Sequence, residues 1–162
     1  MTLAFEDLRV LKEVEGLADD VWMMVSRWGD FERDTVGKQL ARSIDSIGAN
    51  VAESFGRYHY GEKLQFLYCA CGSVFESKYW LKRVLSRDLA QRDQTELLIE
   101  RVGQIAKQVN ALAKSTKKQR KSSTKLREPS PEYMTVSNDL DMQDLFSPKD
   151  LKFITTTADH DN

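Results

Sequence analysis

Histidine and cysteine, which often act as metal ligands, proton carriers or nucleophiles, are few in this sequence, with two of each. The only histidines are His59 and His160, and neither has a second ligand at a spacing typical of a metal site. Cys69 and Cys71 stand two positions apart in a segment with helical periodicity, where such neighbours do not face each other. We therefore expect no disulfide and no shared metal, and interpret both cysteines as small apolar residues at or near a packing surface.

Motifs for catalysis are also missing from the sequence. It contains no nucleophile elbow, no glycine-rich phosphate loop and no cysteine–histidine pairing. We predict that the protein is not an enzyme and that it uses no cofactor, no metal and no small-molecule substrate.

The strongest electrostatic feature is a basic run at residues 114–127, which has seven positive charges and no acid. Such a run can contact the phosphates of a nucleic acid, although basic residues are also favoured at helix C-termini by the macrodipole. Residues 1–113 are nearly neutral, with 15 basic and 17 acidic side chains. We predict that nucleic-acid binding uses the first part of the run: Lys114, Lys117, Lys118, Arg120 and Lys121.

Small residues recur every four positions in the middle of the chain, at Gly48, Ala52 and Gly56. On a helix this spacing gives a ridge almost without side chains, which lets another backbone approach closely. Gly72 and Ser73 supply a similar patch further along the chain. We expect the two helices that carry these patches to form the tightest pair.

Polar residues interleave with this ridge at Asn50, Glu53 and Arg57. Glu53 and Arg57 have the i, i+4 spacing of an ordinary intrahelical ion pair. The alternative is a polar cluster at a buried surface or an interface, because Asn50 stands beside small residues. Both interpretations are compatible with the spacing.

Four stretches with apolar residues at helical spacing must position these side chains, starting near residues 5, 35, 62 and 93. All three prolines lie beyond residue 128, so no proline interrupts a helix in residues 1–128. Short connections make consecutive helices antiparallel neighbours. We predict an all-α protein, an antiparallel up-down-up-down four-helix bundle over residues 1–121. An open pair of hairpins completed by another chain has the same periodicity.

Residues 122–162 form a polar, acidic tail that we predict to be disordered, because its scattered apolar residues cannot offset the entropy of ordering. From residue 128 onwards it has eight acids against Lys149 and Lys152. Two apolar clusters, at residues 140–146 and 151–154, are either short docking motifs that fold on a partner or incidental hydrophobes.

The distribution of apolar residues does not indicate a secreted or membrane protein. The N-terminus has Glu6 and Asp7 where a secretory signal has basic residues, and no stretch approaches 18 consecutive apolar residues. We predict a cytoplasmic protein without a membrane partner.

Three separated segments resemble one known family. They are FEDL at residues 5–8, SIGANVAESFGR at residues 46–57 and FLYCACGSV at residues 66–74. Together they are similar to the four-helix bundle family first noticed as proteins encoded in intervening sequences of bacterial large-subunit ribosomal RNA genes. The resemblance covers about residues 3–115, and Gly48 stands where the family usually has proline.

The resemblance implies a ring-like homo-oligomer, a pentamer, and relatives that include the accessory proteins of diversity-generating retroelements. Those relatives look like basic partners of a reverse transcriptase and its RNA. Two functional hypotheses follow. The first is a non-enzymatic, homo-oligomeric accessory protein that binds RNA, or a ribonucleoprotein or reverse transcriptase partner. The second is a protein-interaction scaffold that recruits a partner through its C-terminal tail.

Overall fold

The computed structural model describes residues 8–123, and most of them lie in four helices. Helix α1 spans Arg9–Val25, α2 spans Lys38–Gly56, α3 spans Tyr60–Ser86 and α4 spans Arg92–Ser123. Between α1 and α2 the chain forms a short helical turn, Asp30–Glu32, and a π-helical turn, Arg33–Gly37. Each helix packs on its sequence neighbour, and α1 also contacts α4. The predicted up-down-up-down bundle is confirmed, and the contact of α1 with α4 closes it within one chain.

The apolar periodicity predicted most of the core. Buried side chains recur mainly at steps of three and four residues along each helix, and the largest fully buried ones are Leu17, Leu40, Ile44, Ile47, Leu67, Leu81 and Ile105. Phe55, which continues the apolar spacing of α2 on its last turn, is 42% exposed, whereas Ser54 beside it is buried. Periodicity therefore located the helices correctly but overestimated how far the core extends.

Serine hydroxyls hold α2 against α3, which form the most extensive helix contact in the bundle. Ser77 donates to the hydroxyl of Ser43 over 3.0 Å, and Ser43 in turn donates to the carbonyl of Leu40 over 2.9 Å. One turn away along the helices, Ser73 Oγ lies 3.0 Å from Ser46 Oγ. Since each side chain is short, both contacts require the helices to approach closely. We call these four serines the serine ladder.

The predicted glycine ridge on α2 does not face α3, so its assigned partner is wrong. A Cβ atom on Gly48 would lie 3.3 Å from Cγ1 of Val14, which is on α1. A Cβ on Gly56 or on Gly72 would meet nothing within 4 Å. The expectation that α2 and α3 form the tightest pair is confirmed, and Ser73 of the predicted patch takes part in it, but the contact is made by serines rather than glycines.

Gly37 is the glycine on which close packing depends. It ends the π-helical turn and is buried against the end of α1. A Cβ there would lie 2.5 Å from Cγ1 of Val25 and 3.3 Å from the ring of Trp28. The entry of α2 can therefore reach α1 only because this residue has no side chain.

Long polar side chains bridge α1 and α4. Arg101 pairs with Asp20, and Gln108 donates to the carboxylate of Glu13. Arg9 also donates to Glu13, over 2.7 Å. These contacts, first of all the hydrogen bond from Arg9, lower the pKa of Glu13 below its usual value despite some desolvation. This interface is therefore polar and partly open to solvent.

Two further sequence predictions concern the C-terminal tail and membrane-spanning helices. The predicted tail begins at residue 122, so nearly all of it lies outside the described residues. Among residues 8–123, no helix is long and apolar enough to cross a membrane.

Candidate nucleic-acid interface

Four lysines recur on the outer face of α4. Buried Val109, Ala113 and Thr116 fix the orientation of this half of the helix. On the opposite face, at spacings of seven, four and three residues, stand the exposed side chains of Lys107, Lys114, Lys118 and Lys121. We call this set the lysine stripe. Because a helix turns once in about 3.6 residues, all four lie within roughly 60° of one another around the axis.

The lysine stripe stands in a segment without acids. From Arg101 to the end of α4 the sequence has seven basic residues and no Asp or Glu. Arg101 forms an ion pair with Asp20, whereas the four lysines of the stripe are exposed to solvent. A cationic second half also suits the helix, because positive side chains interact favourably with the negative end of its dipole.

The structure sorts the predicted binding residues into two groups. Lys114, Lys118 and Lys121 share the stripe, whereas Lys117 is half-buried and Arg120, although exposed, lies off this face. Lys107 joins them, and sequence reasoning missed it because the basic run was taken to begin at residue 114. Its spacing of seven residues from Lys114 was the available signal.

The polar residues of α2 separate into different environments. Glu53 and Arg57 form the predicted intrahelical ion pair, with both side chains more than 40% exposed. The guanidinium of Arg57 also lies 4.7 Å from the centre of the Phe66 ring. Asn50 instead donates to the carbonyl of Ser46 over 2.8 Å, which places it at the edge of the serine ladder. The ion-pair prediction is confirmed, and Ala52 beside it is half-buried.

A second exposed set, which we call the aromatic stripe, lies on α3. Tyr68, Phe75 and Tyr79 are spaced by seven and four residues and are 39%, 57% and 54% exposed. The guanidinium of Arg83 lies 5.6 Å from the ring of Tyr79, while Gly72 leaves open space between Tyr68 and Phe75. Tyr68 and Phe75 flank the buried face of α3, on the side that faces solvent.

The thiols differ sharply in environment. Cys71 is buried, its Sγ lies 3.4 Å from Oδ1 of Asn110 on α4, and burial raises its pKa to about 11. Cys69 is exposed, so the interpretation as a packing residue holds for Cys71 alone. Within residues 8–123 no cluster of His, Cys, Asp or Glu is arranged to hold a metal ion.

Comparison with known proteins identifies one family. The model of the family described as 23S rRNA-intervening sequence protein matches residues 6–111. A crystal structure of a protein of unknown function from the S23 ribosomal protein family, from Bacteroides thetaiotaomicron VPI-5482, matches with a TM-score of 0.61 and 23% identity. That match covers 65% of this chain and 95% of the other, and at this identity it shows the fold alone. No curated protein matches.

Proposed function

We propose, from the premise that this chain belongs to the 23S rRNA-intervening sequence protein family, that it is a non-enzymatic accessory protein that self-associates and binds RNA. The lysine stripe on α4 would be the contact with RNA. Three of its four lysines lie beyond residue 111, where the family match ends. Most of the proposed site therefore lies in the C-terminal half of α4, beyond the part of the bundle that the family model matches.

The observation that carries this proposal is the geometry of the lysine stripe. At about 1.5 Å of rise per residue, Lys107 and Lys121 are roughly 21 Å apart along the helix, which is long enough to follow several phosphates. The side chains stand on a helix anchored by buried residues, so binding does not require ordering a loop. Contacts of this kind neutralise phosphates without reading base sequence.

Self-association is supported by apolar side chains at the opposite end of the bundle. Where α1 ends and α4 begins, four large side chains are more than half exposed: Trp22, Met23, Phe31 and Leu97. Exposed apolar groups collected at one end favour contact with another protein surface. Assembly into a ring, a pentamer by the family resemblance, would repeat the lysine stripe around one rim and make RNA binding polyvalent. A reverse transcriptase partner, implied by the same resemblance, stays a prediction.

Charge substitution with a matched control tests the RNA contact. The variant Lys114→Gln, Lys118→Gln, Lys121→Gln removes three charges from the stripe. The control Arg27→Gln, Lys38→Gln, Arg42→Gln removes three exposed charges between the end of α1 and the middle of α2, away from α3 and α4. We expect the first to weaken binding of a fluorescent RNA and to flatten the plot of log affinity against log salt by about 0.7 per lost contact. The control should leave that slope nearly unchanged, and circular dichroism should show both variants folded.

Two results would contradict the proposal. Equal weakening by both variants would mean that overall charge, rather than the stripe, attracts RNA. Wild-type protein that binds no RNA at low salt, with or without residues 128–162, would remove RNA binding altogether and favour the scaffold hypothesis. Light scattering of the wild-type protein tests self-association separately, and a monomeric mass would contradict it.

A further inference from the structure

We infer that the aromatic stripe on α3 and the lysine stripe on α4 form one surface that binds single-stranded RNA, with bases stacked on the rings and phosphates held by the lysines. This inference rests on the proposed function and names the form of RNA that the site takes. It requires the two stripes to be neighbours, the rings to be accessible, and the surface to be rigid.

A contact between Cys71 and Asn110 makes the two stripes neighbours. Tyr68 and Phe75 stand three residues before and four residues after Cys71, so they flank it on the same side of α3. Lys107 and Lys114 flank Asn110 on α4 in the same way. Because the helices are antiparallel, Tyr68 lies on the level of Lys114 and Phe75 on the level of Lys107. At each of these two levels a ring on α3 and an ammonium group on α4 therefore stand on either side of the boundary between the helices.

Buried contacts keep this register fixed. Leu64 and Leu67 of α3 form one buried cluster with Ala113 of α4, and Leu112 packs against it. Ala113 immediately precedes Lys114, and Leu67 immediately precedes Tyr68. The backbone positions that carry a ring and an ammonium group are thus set by the core beneath them. A surface built on packed helices loses little conformational entropy when it binds.

The rings have the exposure and spacing that stacking needs. Phe75 has no polar atom, yet more than half of it faces solvent. Seven residues separate Tyr68 from Phe75, which is about 10.5 Å along the helix, and Gly72 between them leaves the space open. Unpaired bases can stack on such rings, whereas the bases of a duplex are enclosed in their own stack. Phosphate contacts alone would not discriminate between the two forms.

The neighbouring lysines favour a polyanion over a second copy of this chain as the occupant. Another copy seated on the aromatic stripe would have to cover Lys107 and Lys114 with its own surface. Ammonium groups covered in that way lose water, and they need an opposite charge in exchange. RNA brings both apolar base faces and phosphates, so it satisfies the rings and the lysines together.

The test compares single-stranded and duplex RNA on ring-deletion variants. Fluorescence polarisation would measure binding of a 20-nucleotide uridine-rich strand and of a duplex of the same length. We expect Tyr68→Ala and Phe75→Ala each to weaken single-strand binding about tenfold, and to change duplex binding less than twofold. Tyr68→Phe keeps the ring and should bind like wild type.

The outcomes separate this inference from the proposed function. If single-strand binding depends on the lysine stripe but both ring deletions leave it unchanged, the inference is wrong and the proposed function stands. Equal losses for single-stranded and duplex RNA would also overturn the inference. A fall in particle mass for Phe75→Ala would assign the aromatic stripe to contacts between copies and would overturn it as well. Absence of any RNA binding by the wild-type protein would overturn both.

Discussion

The interface between α2 and α3 and the interface between α1 and α4 both contain polar side chains, but they use them in opposite ways. In the first, short serine hydroxyls bond to one another across the helices, and three of the four serines are nearly excluded from water. In the second, the long side chains of Arg101 and Gln108 reach across to carboxylates that remain partly in solvent. The first pair of helices makes the most extensive contact in the bundle, and the second pair makes a much smaller one.

This difference shows that the length of a polar side chain decides how closely two helices can pack. A serine adds little volume and meets its hydrogen-bonding needs locally, so the backbones approach and the pair becomes sensitive to any added atom. An arginine–aspartate bridge spans a wider gap, and each exposed pair of this kind contributes only about 0.2–1 kcal/mol. Substitutions at the two interfaces should therefore have very different effects on stability.

The largest expected effect comes from Ser77→Leu in the serine ladder. Ser77 is fully buried, so the larger side chain would force the helices apart and leave Ser43 without its donor. We expect a loss of about 3 kcal/mol in the free energy of unfolding, measured by urea denaturation. Gln108→Leu at the other interface should cost less than about 1 kcal/mol. Similar losses for the two variants would show that the interfaces do not differ as described.

An intermediate effect is expected for Gly37→Ala. This substitution tests whether the start of α2 is packed as closely against α1 as α2 is against α3. The new methyl group would press on Val25 and Trp28, and we expect thermal and urea unfolding to report a loss of about 2 kcal/mol. Gly72→Ala is the matched control, because its methyl group would meet open space. Removing a mid-helix glycine there should instead stabilise the protein by roughly 0.5–1 kcal/mol. Two substitutions with effects of the same sign would contradict this assignment.

The smallest effect should appear at Glu13 and should depend on pH. Its pKa is lowered in the folded protein by the hydrogen bond from Arg9 and by Gln108. The resulting stability is present above the usual carboxylate pKa and is lost as the pH falls through the lowered, folded value. Glu13→Gln should therefore be less stable than wild type near pH 7, and the two should converge in acid. Urea denaturation between pH 7 and pH 3 would measure this, with Glu15→Gln on the exposed face of α1 as the charge-matched control. A constant difference across that range would argue against the ionised carboxylate as the cause.

Sequence alone was sufficient for the features that depend on local spacing. The period of the apolar residues located all four helices, because one face of each must be buried. The i, i+4 spacing of Glu53 and Arg57 predicted their ion pair, since both residues lie on one helix and need no other. The basic character of the end of α4 was equally visible, and three residues of the lysine stripe were among those predicted.

Tertiary structure decided everything that depends on which helix stands opposite a given face. The spacing of Gly48, Ala52 and Gly56 defined a face of α2 but could not show that Gly48 meets Val14 of α1. The serine ladder was not predicted because its serines come from helices about 30 residues apart in the chain, and only the packed register pairs Ser43 with Ser77. For the same reason the spacing could not pair Cys71 of α3 with Asn110 of α4, the contact on which the inferred RNA surface is built. The spacing of residues determines on which side of its own helix each one lies. Only the packing of the helices determines which residue of another helix it contacts.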